Sequence, residues 1–239
     1  MNRTGLLVAL GAACVVGLVF AVYPRLDIQI SRPFFNTGVR MFAVNAQPWV
    51  QHTRDTVRLI VALLAAPAFI AIVVKVIWPR RPMLIDARAA IFIVSTLALG
   101  PGLVANTLLK DHWGRVRPID IVELGGDGRF TPWWDPRGDC PNNCSFIAGE
   151  PAGAFWTLAP AALAPPQWRL GAYTAALAFG SAVGMLRIAA GGHFFTDVVY
   201  AGVIVYLVIW ACYGLIYRWR ASRDAIASFL RRIGWLAEK

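Results

Sequence analysis

Six stretches of the chain are apolar all round, with neither the alternation of a half-buried strand nor the one-sided stripe of a soluble helix. They cover residues 5–23, 58–78, 89–109, 148–164, 170–187 and 194–217. A helix of that kind is either a core element or a membrane span, and a hydrocarbon core of about 30 Å takes about 20 residues of helix. The stretch 148–164 is the short one and reaches spanning length only by including the polar cluster at its start. The pattern predicts an all-α membrane protein, a single domain over 1–239 built as a bundle of six transmembrane helices. Two longer polar connections, 24–57 and 110–147, separate the spans, and a basic tail follows at 218–239. The first connection, with Phe34, Phe35 and Trp49 among polar residues, predicts interfacial helices. The first run reads as a retained span, because Phe20-Ala-Val-Tyr-Pro24 offers no small-x-small cleavage site. Lys75 sits near the end of its run, where its stem can snorkel.

Composition agrees with a bilayer protein. Of 239 residues, 58% are hydrophobic and 15% charged, with ten Trp, and the mean hydropathy is +0.56. A soluble domain of this length carries about 25% charged residues. The net charge of +10 is read as anchoring to anionic lipid, and no nucleic-acid-binding motif accompanies it. Lys and Arg are denser in the short segments that would lie inside if the N-terminus does, which include Arg80, Arg81, Arg88, Arg169 and the tail. That bias predicts both termini in the cytoplasm. The tail from Arg218 is amphipathic and basic and is expected to lie on the inner leaflet.

This topology carries a consequence for three polar clusters. Lys110-Asp-His-Trp-Gly-Arg-Val-Arg117-Pro118 follows the third span, Cys144-Ser-Phe-Ile-Ala-Gly-Glu150 opens the fourth, and Arg187-Ile-Ala-Ala-Gly-Gly-His193-Phe-Phe-Thr-Asp197 joins the fifth to the sixth. All three fall on the outer face, so residues spread from Lys110 to Asp197 can form one site.

These clusters resemble the three-part signature of the type-2 phosphatidic acid phosphatase family: K-x6-R-P, then P-S-G-H, then S-R-x5-H-x3-D. Lys110, Arg117 and Pro118 match the first part, and Arg187, His193 and Asp197 match the third, with Leu186 in place of the usual Ser. In the second part only Gly149 matches; Ile147, Ala148 and Glu150 stand where the family has Pro, Ser and His. The resemblance implies a multi-pass lipid phosphatase of a bacterial inner membrane with its site facing the periplasm, using no metal or other cofactor. The stretch from Glu123 to Phe146 is similar to that of family members acting on the 4′-phosphate of lipid A. Prenyl diphosphate, phosphatidylglycerol phosphate and phosphatidic acid stay open as substrates.

The residues support such chemistry in their own right. Lys110, Arg117 and Arg187 can neutralise a phosphomonoester dianion, arginine gripping two oxygens and lysine acting as a point charge. His193 is the candidate nucleophile, forming a phosphohistidine. Asp197, four residues on, is expected to hold the other ring N–H. Glu150 is either the acid that protonates the leaving oxygen or a carboxylate that orients the cations. Ala148 removes a hydroxyl donor, leaving the backbone N–H groups of Ala148, Gly149 and Glu150 to face the phosphate. The missing hydroxyl also keeps open a binder of phosphorylated lipid, or a phosphotransferase, with weakened hydrolysis. Arg115, Asp111 and His112 are expected around the site, Arg115 as a supporting or headgroup contact and Asp111 as the partner of a cation. Trp113, Trp133 and Trp134 form either a lipid-facing floor or an aromatic belt. Cys140 and Cys144, placed outside the cytoplasm, are read as a disulfide or as two free thiols. Gly125-Gly-Asp-Gly128 is expected to be the flexible point of a loop capping the pocket. The expected partners are a phosphorylated lipid and the bilayer; nothing in the sequence sets the oligomeric state.

Overall fold

The computed structural model describes residues 2–236. Five of its helices are long and apolar enough to cross a membrane. The first, α1, is Arg3–Val22, started by the Asn2 side chain, which accepts from the Gly5 N–H. A short helix α2 (Leu26–Ser31), a 3₁₀ turn and a two-residue hairpin pairing Phe35–Asn36 with Met41–Phe42 follow. The connection 24–57 is therefore mixed, and its last part belongs to the next span: α3 runs unbroken over Pro48–Ile77. Proline at N1 costs that helix nothing, since the missing N–H would be unpaired there. Lys75, only 5% exposed, reaches past the end of α3 and donates to the Pro79 and Arg81 carbonyls at 2.8 and 2.9 Å.

The third span is α4 (Ala87–Leu97), which continues as a π-helix over Ala98–Leu109 and a last turn, α5 (Lys110–His112). Pro101 lies within the π segment and cannot donate to it. Asn106 donates to the Pro101 carbonyl at 2.7 Å, filling a backbone acceptor of the widened turn.

The stretch 148–164 is two short helices, α6 (Gly149–Phe155) and α7 (Leu158–Leu163). Pro160 accounts for the break, because its ring crowds the carbonyl four residues back, that of Trp156. That carbonyl instead receives the Ala159 N–H. Both helices are buried by α8 (Pro166–Ala189) and α9 (Phe195–Tyr213), with Trp156 and Ala159 wholly inaccessible. A final amphipathic helix, α10 (Arg220–Arg232), buries Ala227 and Leu230 and carries its arginines outward.

The chain order brings the end of α5, the start of α6, the end of α8 and the start of α9 to one end of the bundle. The loop 110–147 closes over that end. Its Gly125–Gly128 turn is pinned: Gly126 N–H donates to Ile121 at 2.9 Å, Gly128 N–H to Asp120 at 2.7 Å, and Val122 N–H back to Gly128 at 2.9 Å. Gly125 takes φ 90°, and a Cβ at Gly126 would collide with the Asp120 backbone, so glycine here serves close packing and not flexibility. Cys140 and Cys144 pair as a disulfide with Cα atoms 5.7 Å apart.

Candidate functional site

His193 lies in the turn between α8 and α9, ahead of the helix that contains Asp197. Gly191, at φ 68°, makes the turn, and the ring of Phe42 occupies the space a Cβ there would take. The imidazole is 2% exposed, and its Nδ1 lies 2.8 Å from the Ser145 carbonyl oxygen. A carbonyl only accepts, so Nδ1 carries the proton and Nε2 keeps a free lone pair. Burial, with Arg187 and Arg117 beside it, pushes the imidazole well below its ordinary pKa, which keeps it neutral.

Asp197 does not hold the ring directly. Its Oδ2 is 4.0 Å from Nδ1, too long for a hydrogen bond. The one-turn neighbour rule fails because His193 precedes the helix. At the N3 position of α9, Asp197 accepts instead from the Phe194 N–H at 2.8 Å and from the Ser145 hydroxyl at 2.5 Å. It therefore fixes the residue whose carbonyl fixes the imidazole. Its other oxygen pairs with Arg115.

Arg115 makes no contact with a headgroup region. It is wholly buried, paired also with Asp27 of α2 at 2.7 Å, and donates to the Thr131 carbonyl at 2.9 Å and the Thr196 hydroxyl at 2.8 Å. Its guanidinium lies 4.3 Å from the Phe194 ring centroid. Burial opposes its charge, but the Asp197 and Asp27 carboxylates outweigh that and hold its pKa above the usual value. Asp27 further accepts from the Thr196 N–H and hydroxyl at 3.1 and 2.6 Å, tying the N-terminal segment to the first turn of α9.

Arg187, Arg117 and Lys110 lie close enough to His193 for each to act electrostatically on the ring. Arg117 is braced on Asn143 through its carbonyl and side-chain oxygens at 2.8 and 2.9 Å. Arg187 is nearly buried and lies against Gly192, where a Cβ would displace its guanidinium. Its Nε is 3.5 Å from Glu150, which also takes a two-pronged grip from Arg54 of α3, at 2.7–3.1 Å. Glu150 thus sits as an acceptor between two arginines. Gly149 is required by close approach: a Cβ there would fall onto Asn106 and 3.4 Å from Lys110 Nζ. Glu150 acts on the Lys110, Arg117, Arg187 and Arg54 cations, with Asp120 and Asp197 also acting on Arg117 and Asp111 on Lys110.

Two further expectations, for the Ala148 N–H and for Asp111, need correction. The Ala148 N–H does not face a ligand; it donates to the Asp197 carbonyl at 3.3 Å, leaving the Gly149 and Glu150 N–H groups without backbone acceptors among the described residues. Asp111 is paired with no cation among the described residues and accepts weakly from the Asn143 N–H, at 3.4 Å. His112 is exposed and turned to the Thr107 and Leu108 carbonyls, both at 3.1 Å. Of the tryptophans, Trp113 and Trp133 pack inward on Phe146 and Tyr200, and Trp134 is exposed. Sequence reasoning missed Asp27, Arg54, Ser145 and Thr196. Of these Ser145, inside the second cluster, and Thr196, inside the third, carried a positional signal. Among the described residues no group of three or more His, Cys, Asp or Glu is arranged to hold a metal.

A family profile described as PAP2 superfamily matches residues 88–221. The chain is 33% identical over 225 residues to the lipid A 4′-phosphatase of Francisella tularensis subsp. novicida (strain U112), an alignment covering 91% of this chain and 98% of that one. It is 36% identical over 118 residues to the lipid A 4′-phosphatase of Rhizobium leguminosarum, about half of each chain (49% and 50%). No solved structure matches it.

Proposed function

The chain belongs to the PAP2 superfamily and is a membrane lipid phosphatase, and from that premise we propose that it removes the 4′-phosphate of lipid A at the periplasmic face of a bacterial inner membrane. The observation that carries the mechanism is the buried His193, kept neutral, with its proton held on Nδ1 by Ser145 and with Arg187, Arg117 and Lys110 acting on the ring. In this reading Lys110, Arg117 and Arg187 bind the three equatorial phosphoryl oxygens and neutralise charge that spreads over them at the transition state. Nε2 attacks phosphorus in line with the sugar oxygen. The P–O bond breaks as the P–N bond forms, giving a phosphohistidine and the lipid 4′-oxyanion, which takes a proton from water to become the 4′-hydroxyl. Water then cleaves the P–N bond and releases inorganic phosphate. Imidazolium charge on the intermediate is stabilised through Ser145 by Asp197, whose own position Arg115 fixes.

Glu150, ionised between Arg54 and Arg187, orients the clamp and can accept the proton of the attacking water in the second step. The broken pair α6–α7 makes the sixth crossing in this arrangement, entering the bilayer at Gly149 with its first N–H groups toward the phosphate. Lipid A is favoured because the long relative named for it aligns over nearly its whole length. Ala148 favours one second reading, a lipid-phosphate binder or phosphotransferase with slowed hydrolysis. A phosphate-release panel over lipid A, prenyl diphosphate, phosphatidylglycerol phosphate and phosphatidic acid tests the assignment. Release from lipid A at the highest kcat/KM is expected; preference for another lipid overturns the substrate, and phosphoryl transfer without release selects the second reading.

A further inference from the structure

Beside the cation cluster, on the loop that closes the end of the bundle, lies a cavity of about 540 Å³ whose lining includes Arg117, Asp120, Asp127, Asp139, Asn142 and Asn143. Its volume falls within the range of about 300–1,000 Å³ of small-molecule sites. Arg117 is its one shared element with the phosphate clamp. The remaining polar lining is of opposite character, with three carboxylates and two carboxamides. Among the described residues only Asp139 forms an ion pair, with exposed Arg129 at 3.7 Å; Asp120 acts on Arg117 across the cavity wall without pairing with it, and Asp127 pairs with no cation. The walls are prebuilt. One is the Gly125–Gly128 turn fixed on Ile121 and Asp120, and the other is held by the Cys140–Cys144 pair and by the Cys140 N–H on Gly114 at 3.0 Å.

Two polarities side by side sort the parts of a substrate. The phosphoryl group belongs with Lys110, Arg117 and Arg187. Whatever continues past Arg117 meets carboxylates, which repel a second phosphate and accept hydrogen bonds. A diphosphate or a glycerol phosphate diester therefore has nothing to offer this cavity, whereas a sugar presents several hydroxyl and amide N–H donors in a compact ring. We propose that this cavity is a saccharide subsite, with Asp120 and Asp127 as the residues that select a phosphorylated amino-sugar lipid over phosphorylated glycerolipids and prenyl diphosphates. The inference rests on the lipid phosphatase reading above and gives its headgroup preference a structural location.

The test compares the unmodified chain with Asp120→Asn, Asp127→Asn and the double variant, each in detergent micelles. Three quantities are read: kcat/KM for lipid A, kcat/KM for phosphatidic acid, and product inhibition by inorganic phosphate, which probes the clamp alone. The double variant is expected to lose about ten- to a hundredfold on lipid A, with phosphate inhibition unchanged and activity on phosphatidic acid unchanged or raised. Equal losses on both lipids, or weakened phosphate inhibition, would mean that the carboxylates serve folding or the clamp, and would overturn the subsite. Unchanged activity on lipid A overturns it as well while leaving the phosphatase reading intact. An unmodified chain that hydrolyses neither lipid removes the reading beneath both.

Discussion

Restoring a hydroxyl at Ala148 sets three effects of known size against one another. Ala148 is the N-cap of α6, wholly buried, and its N–H is engaged by Asp197. In Ala148→Ser, a hydroxyl that reaches the phosphoryl oxygens contributes about 1.5–3 kcal/mol as a bond to a charged group. Expressed only at the transition state, that is about ten- to a hundred-and-fifty-fold in kcat. The hydroxyl can turn to the helix instead. Pro151 lacks an N–H, so the Glu150 N–H is the one first-turn donor within capping reach, and a cap contributes about 1 kcal/mol, to stability alone. The extra oxygen also has to fit into a fully packed site, where overpacking costs about 1–3 kcal/mol. The phosphate bond and overpacking share the same upper bound, and of the three effects the phosphate bond alone changes the rate. Single-turnover phosphate release from lipid A, with a thermal melt of the same sample, separates the three. The expected result is a clear rise in kcat with little change in the melt. A raised melting temperature at unchanged kcat would assign the hydroxyl to the helix, and a lowered one at unchanged kcat to overpacking; either refutes the reasoning.

Three further outcomes follow from the same geometry. Arg115→Leu leaves Asp27 and Asp197 buried without a cation, and breaking one such buried pair costs about 3–5 kcal/mol; a large loss of thermal stability in detergent is expected, and an unchanged melt would show the carboxylates to be relieved otherwise. His193 is held neutral with a depressed pKa, so between its ordinary value of about 6.5 and its folded value the unfolded chain binds the extra proton. The contribution to stability is therefore full above about pH 6.5 and is lost as pH falls toward the folded pKa, and the acidic limb of kcat/KM lies below pH 6.5; a limb at or above that value contradicts the assignment. In a background with Cys14 and Cys212 replaced by Ala, an impermeant thiol reagent added outside spheroplasts is expected to label Glu123→Cys and spare Arg80→Cys, and labelling of both or of Arg80→Cys alone refutes the topology.

What the sequence disclosed divides along physical lines. Spans were legible because an all-apolar run has few alternatives in water or lipid, and the three clusters were legible because their spacing is fixed within single helix ends or short turns. The break in α6–α7 was legible too, in Pro160, but an apolar average over 148–164 hides it. Asp27 and Arg54 were not legible. Each is one charged residue in a long connection, and its role depends on a partner far along the chain: Asp27 meets Thr196 across 169 positions and Arg54 meets Glu150 across 96. Asp197 shows the opposite error. Its spacing to His193 fits a helical turn, yet the helix begins at Phe195, so the carboxylate caps that helix and reaches the imidazole through Ser145. The glycines at 125–128 suggested mobility by type, whereas their backbone hydrogen bonds hold them rigid.

The central claim is that His193 becomes phosphorylated during removal of a phosphate from lipid A. Rapid quenching of the reaction with lipid A carrying a radiolabelled 4′-phosphate tests it directly. The account predicts a base-stable, acid-labile label on the protein that forms before free phosphate, maps to His193, and is absent from His193→Ala together with turnover. A label on another residue, or a His193→Ala variant that releases phosphate at close to the parental rate, would contradict it.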